Sequence, residues 1–207
     1  LFLNKDRLNE YKNEELVLSI PAKALVNSTH LNIESKKDTS SKIYSSVVTL
    51  NKSTEHLLSY YPLSLKTNVS NDLQDKAIIV WRNEKRAEAA KGGDYANGFI
   101  TAKVREFGTF YVKIDTTKPI VKLLSFNAQK PMGAQKKWSF IIKDELSGIE
   151  KYDAYIDGKW TLAEFDAKFN LLNILNETKL NAGKHSLRIE VQDERQNTTI
   201  FETNFIY

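Results

Sequence analysis

The sequence predicts an all-β protein built as two consecutive immunoglobulin-like β-sandwich modules, residues 1–115 and 116–207. Three observations predict it. Apolar residues recur mostly with a period of two rather than 3.6. The strand-like runs are short and succeed one another, with little helical pattern between them. A proline-stiffened seam, I-D-T-T-K-P at Ile114–Pro119, divides two stretches of different rhythm.

In the first module, Leu16, Leu18 and Ile20 share one parity, and Pro21 stops the run. In I-Y-S-S-V-V-T-L, Ile43 and Val47 fall on one face while Tyr44, Val48 and Leu50 fall on the other. A-I-I-V-W at Ala77–Trp81 reads as a central strand buried on both sides. N-E-K-R-A-E-A-A-K, Asn83–Lys91, has good helix formers behind an Asn that can cap them. Its only apolar residues are alanines, and Gly92-Gly93 ends it. It reads as a solvated loop or a short helix, with Glu84, Lys85 and Arg86 at the surface. F-Y-V-K-I then sets Phe110, Val112 and Ile114 against Tyr111 and Lys113.

At the seam, Asp115 and two threonines can bond locally, while Pro119 fixes its own φ and biases Lys118 toward extended backbone. We read a hinge that holds two sandwiches end to end with limited freedom. The alternative is an ordinary turn inside one larger sandwich.

Beyond the seam the alternation is cleaner. Trp138, Phe140 and Ile142 share a face, as do Tyr152, Ala154 and Ile156. Asp157-Gly158 is a strong hairpin signal. Leu187, Ile189 and Val191 oppose Arg188, Glu190 and Gln192. One wet and one dry face suits antiparallel strands of packed sheets.

Composition narrows the function classes. With 41% hydrophobic and 27% charged residues, the chain can build a core beneath an ordinary surface. The net charge of +4 is spread among acids such as Asp6, Glu10, Glu14 and Glu15, which reads as a solvated face and not a nucleic-acid footprint. Absence of cysteine removes disulfides, thiol nucleophiles and cysteine zinc sites together. No segment has the apolar length of a membrane span. None reads as a signal peptide, and the start at Leu1 reads as that of a mature protein or an excised fragment.

The chemistry-bearing motifs are sparse. His30, His56 and His185 stand outside any H-x-H or H-E-x-x-H, so a three-histidine zinc site is the weaker reading. His185 shares the parity of Leu187, which suggests a partly buried, hydrogen-bonded packing role. No serine sits in G-x-S-x-G or S-x-x-K, and the glycines form no phosphate loop. Asp144 and Glu145 are a nominal carboxylate pair for glycoside hydrolysis, but D-E-L-S-G reads better as a polar turn. Asp144, Asp153, Asp157 and Asp193 are expected near one end of the second module, where turn carboxylates could converge on a cation. Without a D-x-D-x-D-G loop they read as surface or turn carboxylates, not calcium ligands.

Aromatics offer binding candidates, namely Tyr95 beside the Gly-rich loop and Trp160 after the hairpin turn. Trp160 reads more readily as core or interface packing. Tyr60, Tyr61 and Phe165 are further aromatics of interest.

Several of these blocks also carry a family resemblance. R-E-F-G-T-F-Y-V-K-I-D-T-T-K-P (Arg105–Pro119) resembles the junction after the catalytic domain in long M23-family peptidases of the Bacteroidota. So do D-E-L-S-G-I-E-K-Y (Asp144–Tyr152), I-D-G-K-W-T-L-A-E-F-D-A-K (Ile156–Lys168) and G-K-H-S-L-R-I-E-V-Q-D (Gly183–Asp193). In the first module I-P-A-K-A-L (Ile20–Leu25) and N-G-F-I-T-A-K (Asn97–Lys103) are similar too. The resemblance implies the C-terminal, non-catalytic region of a zinc endopeptidase that acts on bacterial peptidoglycan.

It also implies an upstream peptidase domain in the same chain as partner, with peptidoglycan or another envelope component as a further one. Localisation would be exported: periplasmic, outer-membrane-associated or at the cell surface. The family's zinc ligands lie in H-x-x-x-D and H-x-H. Here Glu34, Tyr60 and Ile189 stand four residues after the three histidines, and no H-x-H exists. No ligand carries over, and zinc is expected only in an upstream catalytic domain. Two rival readings are an independent surface-binding or adhesive protein, and a small hydrolase that assembles His56 with a serine or further metal ligands across loops.

Overall fold

The computed structural model describes residues 1–38, 42–124, 137–175 and 180–207, with the backbone but not the side chain of His56. Among them the regular structure is β-strand apart from one 3-10 helix, Asn71–Lys76, and every strand pairing is antiparallel. Contacts divide the chain into unit 1, Leu1–Asp115, and unit 2, Thr116–Tyr207. No helix among the described residues is long and apolar enough to cross a membrane.

Unit 1 contains β1 (Phe2–Leu3), β2 (Asn9–Lys12), β3 (Leu16–Ile20), β4 (Thr29–His30), β5 (Ile33–Lys37) and β6 (Ser46–Leu50). There follow β7 (His56–Lys66), β8 (Ala77–Arg82), β9 (Glu88–Ala90), β10 (Asp94–Ala96), β11 (Phe99–Glu106) and β12 (Gly108–Ile114). They form two five-stranded sheets, in the orders β10-β11-β7-β3-β2 and β5-β6-β12-β8-β9, and a β1-β4 ribbon. Alternation explains the packing. Leu16, Leu18 and Ile20 of β3, Leu63 and Leu65 of β7, Ile100 and Val104 of β11, and Phe110 and Val112 of β12 all join one core. In β8 the run from Ala77 to Val80 is fully buried, as a central strand covered on both faces should be.

A bulge between Val104 and Glu106 interrupts the β11–β7 register. A bulge leaves ladder carbonyls without strand partners. Just past it, two aromatic donors fasten the backbone between β11 and β12. The Tyr61 hydroxyl donates to the Glu106 carbonyl at 2.9 Å, and the Trp81 indole N–H donates to the Phe107 carbonyl at 2.7 Å.

Asn83–Lys91 is neither a helix nor a plain loop. The chain turns after Arg82 and returns as β9, with Val80 opposite Ala90 and Arg82 opposite Glu88. Asn83 organises that turn: its side-chain oxygen accepts from Ala87 N at 2.9 Å, and its backbone exchanges bonds with Ala87 and Arg86. Helix propensity differences of a few tenths of a kcal/mol per residue yield to the ladder β8 offers. Glu84, Lys85 and Arg86 are exposed at the tip.

Unit 2 contains β13 (Ile120–Leu123), β14 (Lys137–Lys143), β15 (Ile149–Ile156), β16 (Lys159–Thr161), β17 (Ala163–Asp166), β18 (Leu171–Leu175), β19 (Lys184–Asp193) and β20 (Thr198–Ile206). Two four-stranded sheets, β13-β14-β18-β17 and β16-β15-β19-β20, enclose a second core. Trp138, Phe140, Ile142, Leu172 and Ile174 come from the first sheet, and Ala154, Ile156, Leu187, Ile189, Val191 and Phe205 from the second. The Asp157-Gly158 turn has φ of 49° and 74°, the doubly left-handed backbone of a two-residue hairpin.

Candidate functional site

The outer face of the second sheet of unit 2 follows from strand parity. Ala154, Ile156, Leu187 and Ile189 point into the core, so Tyr155 and Arg188 point out. The two-residue turn places Trp160 opposite Tyr155, Tyr155 opposite Arg188, and Arg188 opposite Glu202. An aromatic pair therefore adjoins a charged ladder. Arg188 contacts Glu190 at 2.6 Å and Glu202 at 3.7 Å.

Trp160 is 61% exposed, which corrects the expectation that it packs into a core or interface. The sequence carried the necessary signal. With a two-residue turn after Ile156, residue 160 pairs with residue 155, on the wet face. The ring is also held in place, because its Nε1–H donates to Asp153 Oδ1 at 3.2 Å and Asp153 Oδ2 faces Lys151 at 3.3 Å. An exposed indole fixed in this way offers a flat apolar surface beside the Asp153 carboxylate. Such a surface can stack on a sugar or peptide plane, and it holds no nucleophile.

Tyr95 lies elsewhere, on β10 opposite Ile100, half-buried against the unit 1 core. Tyr60 is exposed, with Arg105 6.0 Å over its ring, whereas Tyr61 is buried. Phe165 is half-buried against Tyr152 at 5.6 Å. On the outward side of the second unit 1 sheet, Glu88 accepts from Tyr111 and pairs with Lys113 at 2.7 Å. Burial, followed by the hydrogen bond to Glu88, pushes the Tyr111 phenol well up.

The four aspartates do not share one end of unit 2: Asp144 and Asp193 flank the start of β15, Asp153 lies within it and Asp157 follows its other end. Asp144 Oδ2 accepts from Leu146 N at 2.9 Å and Gly148 N at 3.0 Å, closing the D-E-L-S-G turn. Asp153 and Asp157 are engaged with Trp160 and with His185 and Ser186. Asp193 departs from the surface reading, being 0% exposed. It continues the inward parity of Leu187, Ile189 and Val191, a signal present in the sequence. Its oxygens accept from Arg195 N and Asn197 N at 2.8 Å and from Asn197 Nδ2 at 2.7 Å.

Within unit 2, Asp144 and Asp193 present carboxylate oxygens within 4.8 Å of one another, close enough to share a cation. Asp144 Oδ1 is shielded from solvent and accepts no hydrogen bond among the described residues. Burial holds the Glu194 carboxyl above its usual range; Glu150, Asp193 and Asp144 add to this and Arg195 opposes it. Asp193→Ala should lower the stability of unit 2 by about 2 kcal/mol, because three donors of the turn lose a buried acceptor. Urea unfolding of the variant checks it.

Among the described side chains, His30 and His185 display no hydrolytic arrangement. His30 meets Phe2 edge-on at 5.2 Å. His185 is half-buried, with Nδ1 2.6 Å from Asp157 Oδ2 and Nε2 2.7 Å from the Asn181 carbonyl. Both ring nitrogens are thus engaged in fastening the structure. The His56 side chain, on which the hydrolase reading depended, lies outside the described residues.

Comparison with known families matches residues 1–115 to the Zu5-like domain. No curated protein matches the chain.

Proposed function

The chain belongs to the Zu5-like domain family through residues 1–115, and from that premise we propose that it is a non-catalytic accessory region of an exported cell-envelope protein. Its task is to space, orient or dock an upstream M23-like zinc peptidase at bacterial peptidoglycan. Zu5-like domains are generally non-catalytic scaffolds, and that match supports the non-catalytic part of the reading. Two units, each with its own hydrophobic core, suit a spacer. The seam and hairpin blocks that resemble M23-associated regions point to the wall as the place of work. An immunoglobulin-like topology for both units belongs to the same proposal.

The Trp160 face is the wall-contacting surface in this reading. Trp160→Ala should change stability by no more than about 0.5 kcal/mol, because the ring is exposed. Cosedimentation of the purified chain with insoluble peptidoglycan should fall sharply in the same variant. Equal pelleting of both proteins would remove Trp160 from the contact. The intact mass of the native protein from its producing organism tests the attachment. A species much larger than this chain, with zinc-dependent wall cleavage in the additional part, is expected.

The exposure and fixed orientation of Trp160 also favour a second reading, an independent cell-surface binding or adhesion protein for glycan or protein ligands. A native species of this size alone, still binding through Trp160, would select it.

A further inference from the structure

His185 is the second residue of β19, and its two ring nitrogens meet two acceptors. Nδ1 lies 2.6 Å from Asp157 Oδ2 in the hairpin turn, and Nε2 lies 2.7 Å from the Asn181 carbonyl. A carbonyl oxygen only accepts, and so does an ionised carboxylate. With both contacts made, both nitrogens donate and the ring is an imidazolium. A neutral imidazole carries one N–H and can keep only one of the two bonds.

The surroundings restrict the ring's escape. Phe205 packs against it at 5.6 Å and Tyr207 meets it edge-on at 6.1 Å. Asp157 is anchored separately, since its Oδ1 accepts from Ser186 N at 2.9 Å and its own N–H donates to the Ser186 carbonyl at 3.1 Å. The titratable or charged groups around the ring are Asp157 from the turn, Lys184 beside it on β19 and the Tyr207 phenol after β20. Asn181 and Phe205 contribute none. Asp157, Lys184 and His185 border an open cleft that Asn204 and Ile206 also line.

We propose that His185 is a proton-operated latch: as an imidazolium it ties the segment at Asn181 to the Asp157–Gly158 turn, and loss of one proton releases the Asn181 carbonyl beside the cleft. The bond to Asp157 persists, because an anionic acceptor holds the remaining N–H more strongly than a neutral one. The hydrogen bond to Asp157, followed by that to Asn181, holds the His185 pKa above its ordinary value, against desolvation. The hydrogen bond from His185, then that from Ser186 N, holds Asp157 below the usual carboxylate range.

The sign of the linkage follows. The His185 contribution is complete below about pH 6.5, the ordinary imidazole value, and is lost as pH rises through the raised one. The Asp157 contribution is present above the ordinary carboxylate range and is lost as pH falls through the lowered value. The latch is therefore closed in mildly acidic solution and opens on the alkaline side.

The peptide nitrogen of Ala182 shares its amide with the Asn181 carbonyl, so its chemical shift reports that bond. In the nitrogen-15-labelled full chain, the Ala182 resonance should titrate with the His185 ring nitrogens, with one midpoint above about 6.5. His185→Gln should abolish the Ala182 transition. Asp157→Asn, which suits the left-handed turn position, should move the His185 midpoint down toward the ordinary value. An Ala182 resonance indifferent to the ring's titration would overturn the latch. So would a His185 midpoint at or below the ordinary value, or one that Asp157→Asn leaves unmoved.

Discussion

Replacing Trp138 by alanine should destabilise unit 2 by about 3–5 kcal/mol, the usual cost of emptying a buried tryptophan site. Trp138 is 0% exposed on β14, opposite Ile174 of β18. Its ring meets Phe205 of the facing sheet edge-on, with centroids 4.8 Å apart. Truncation removes packing from both sheets at once, and rigid strands cannot collapse fully into the space. A domain of this size has a stability of about 5–14 kcal/mol, so the loss is a large share of it and much of unit 2 should unfold in mild urea. Unit 1 has its own core, and its amide resonances should persist while those of unit 2 collapse. Trp138→Phe should cost less, because an aromatic ring remains against Phe205. Joint loss of both units' signals, or a change below about 1 kcal/mol, would contradict the packing argument.

Gly108→Ala should destabilise unit 1 by about 2–4 kcal/mol, combining left-handed backbone strain with overpacking. Gly108 has φ of +128°, where side chains other than glycine's are disfavoured. An added Cβ would lie 2.6 Å from Trp81 Nε1 and 3.1 Å from the Arg82 carbonyl. The indole cannot retreat cheaply. Its N–H is bound to the Phe107 carbonyl at 2.7 Å, and Lys91 sits 5.0 Å over its ring while paired with Glu106 at 2.8 Å. Urea unfolding should show the loss, accompanied by a change in Trp81 fluorescence. Trp81→Phe relieves the clash but gives up the hydrogen bond, so the two substitutions together should cost less than their sum. Strict additivity would show that the indole is not the obstacle.

Both sites join what is legible in a sequence to what is not. That Trp138 faces inward follows from its alternation with Phe140 and Ile142, and the core contains all three. That Phe205 is its ring partner depends on sheet packing across more than 60 residues of chain, which no local pattern encodes. Gly108 reads as a plain glycine within R-E-F-G-T-F. Its importance arises where the pairing of β12 with β8 sets Gly108 against the Trp81 ring.

The same division runs through the fold and the candidate site. Strands with one dry face, such as Leu16–Ile20 and Lys184–Asp193, announce themselves by period two. Edge strands do not. Ile33–Lys37 reads I-E-S-K-K, because among the described residues one flank has no strand partner and most of its side chains are exposed. Asn83–Lys91 shows by itself only a solvated tip and a weak helix preference, and its return as β9 depends on the partner strand β8. The outward face of Trp160 and the inward face of Asp193 were readable, given a two-residue turn and continued parity.

By itself, then, the sequence determined the all-β class, the inward sets of the principal strands, the Asp157–Gly158 turn and the lack of cysteine chemistry. These depend on backbone geometry and side-chain polarity over a few residues. Tertiary structure alone decided the Asp157–His185–Asn181 fastening, the Asp144–Asp193 approach and the carbonyl partners of Tyr61 and Trp81. Each of these joins residues distant in the chain, and their distances are set by sheet order and register, which form only when both faces of a core close together.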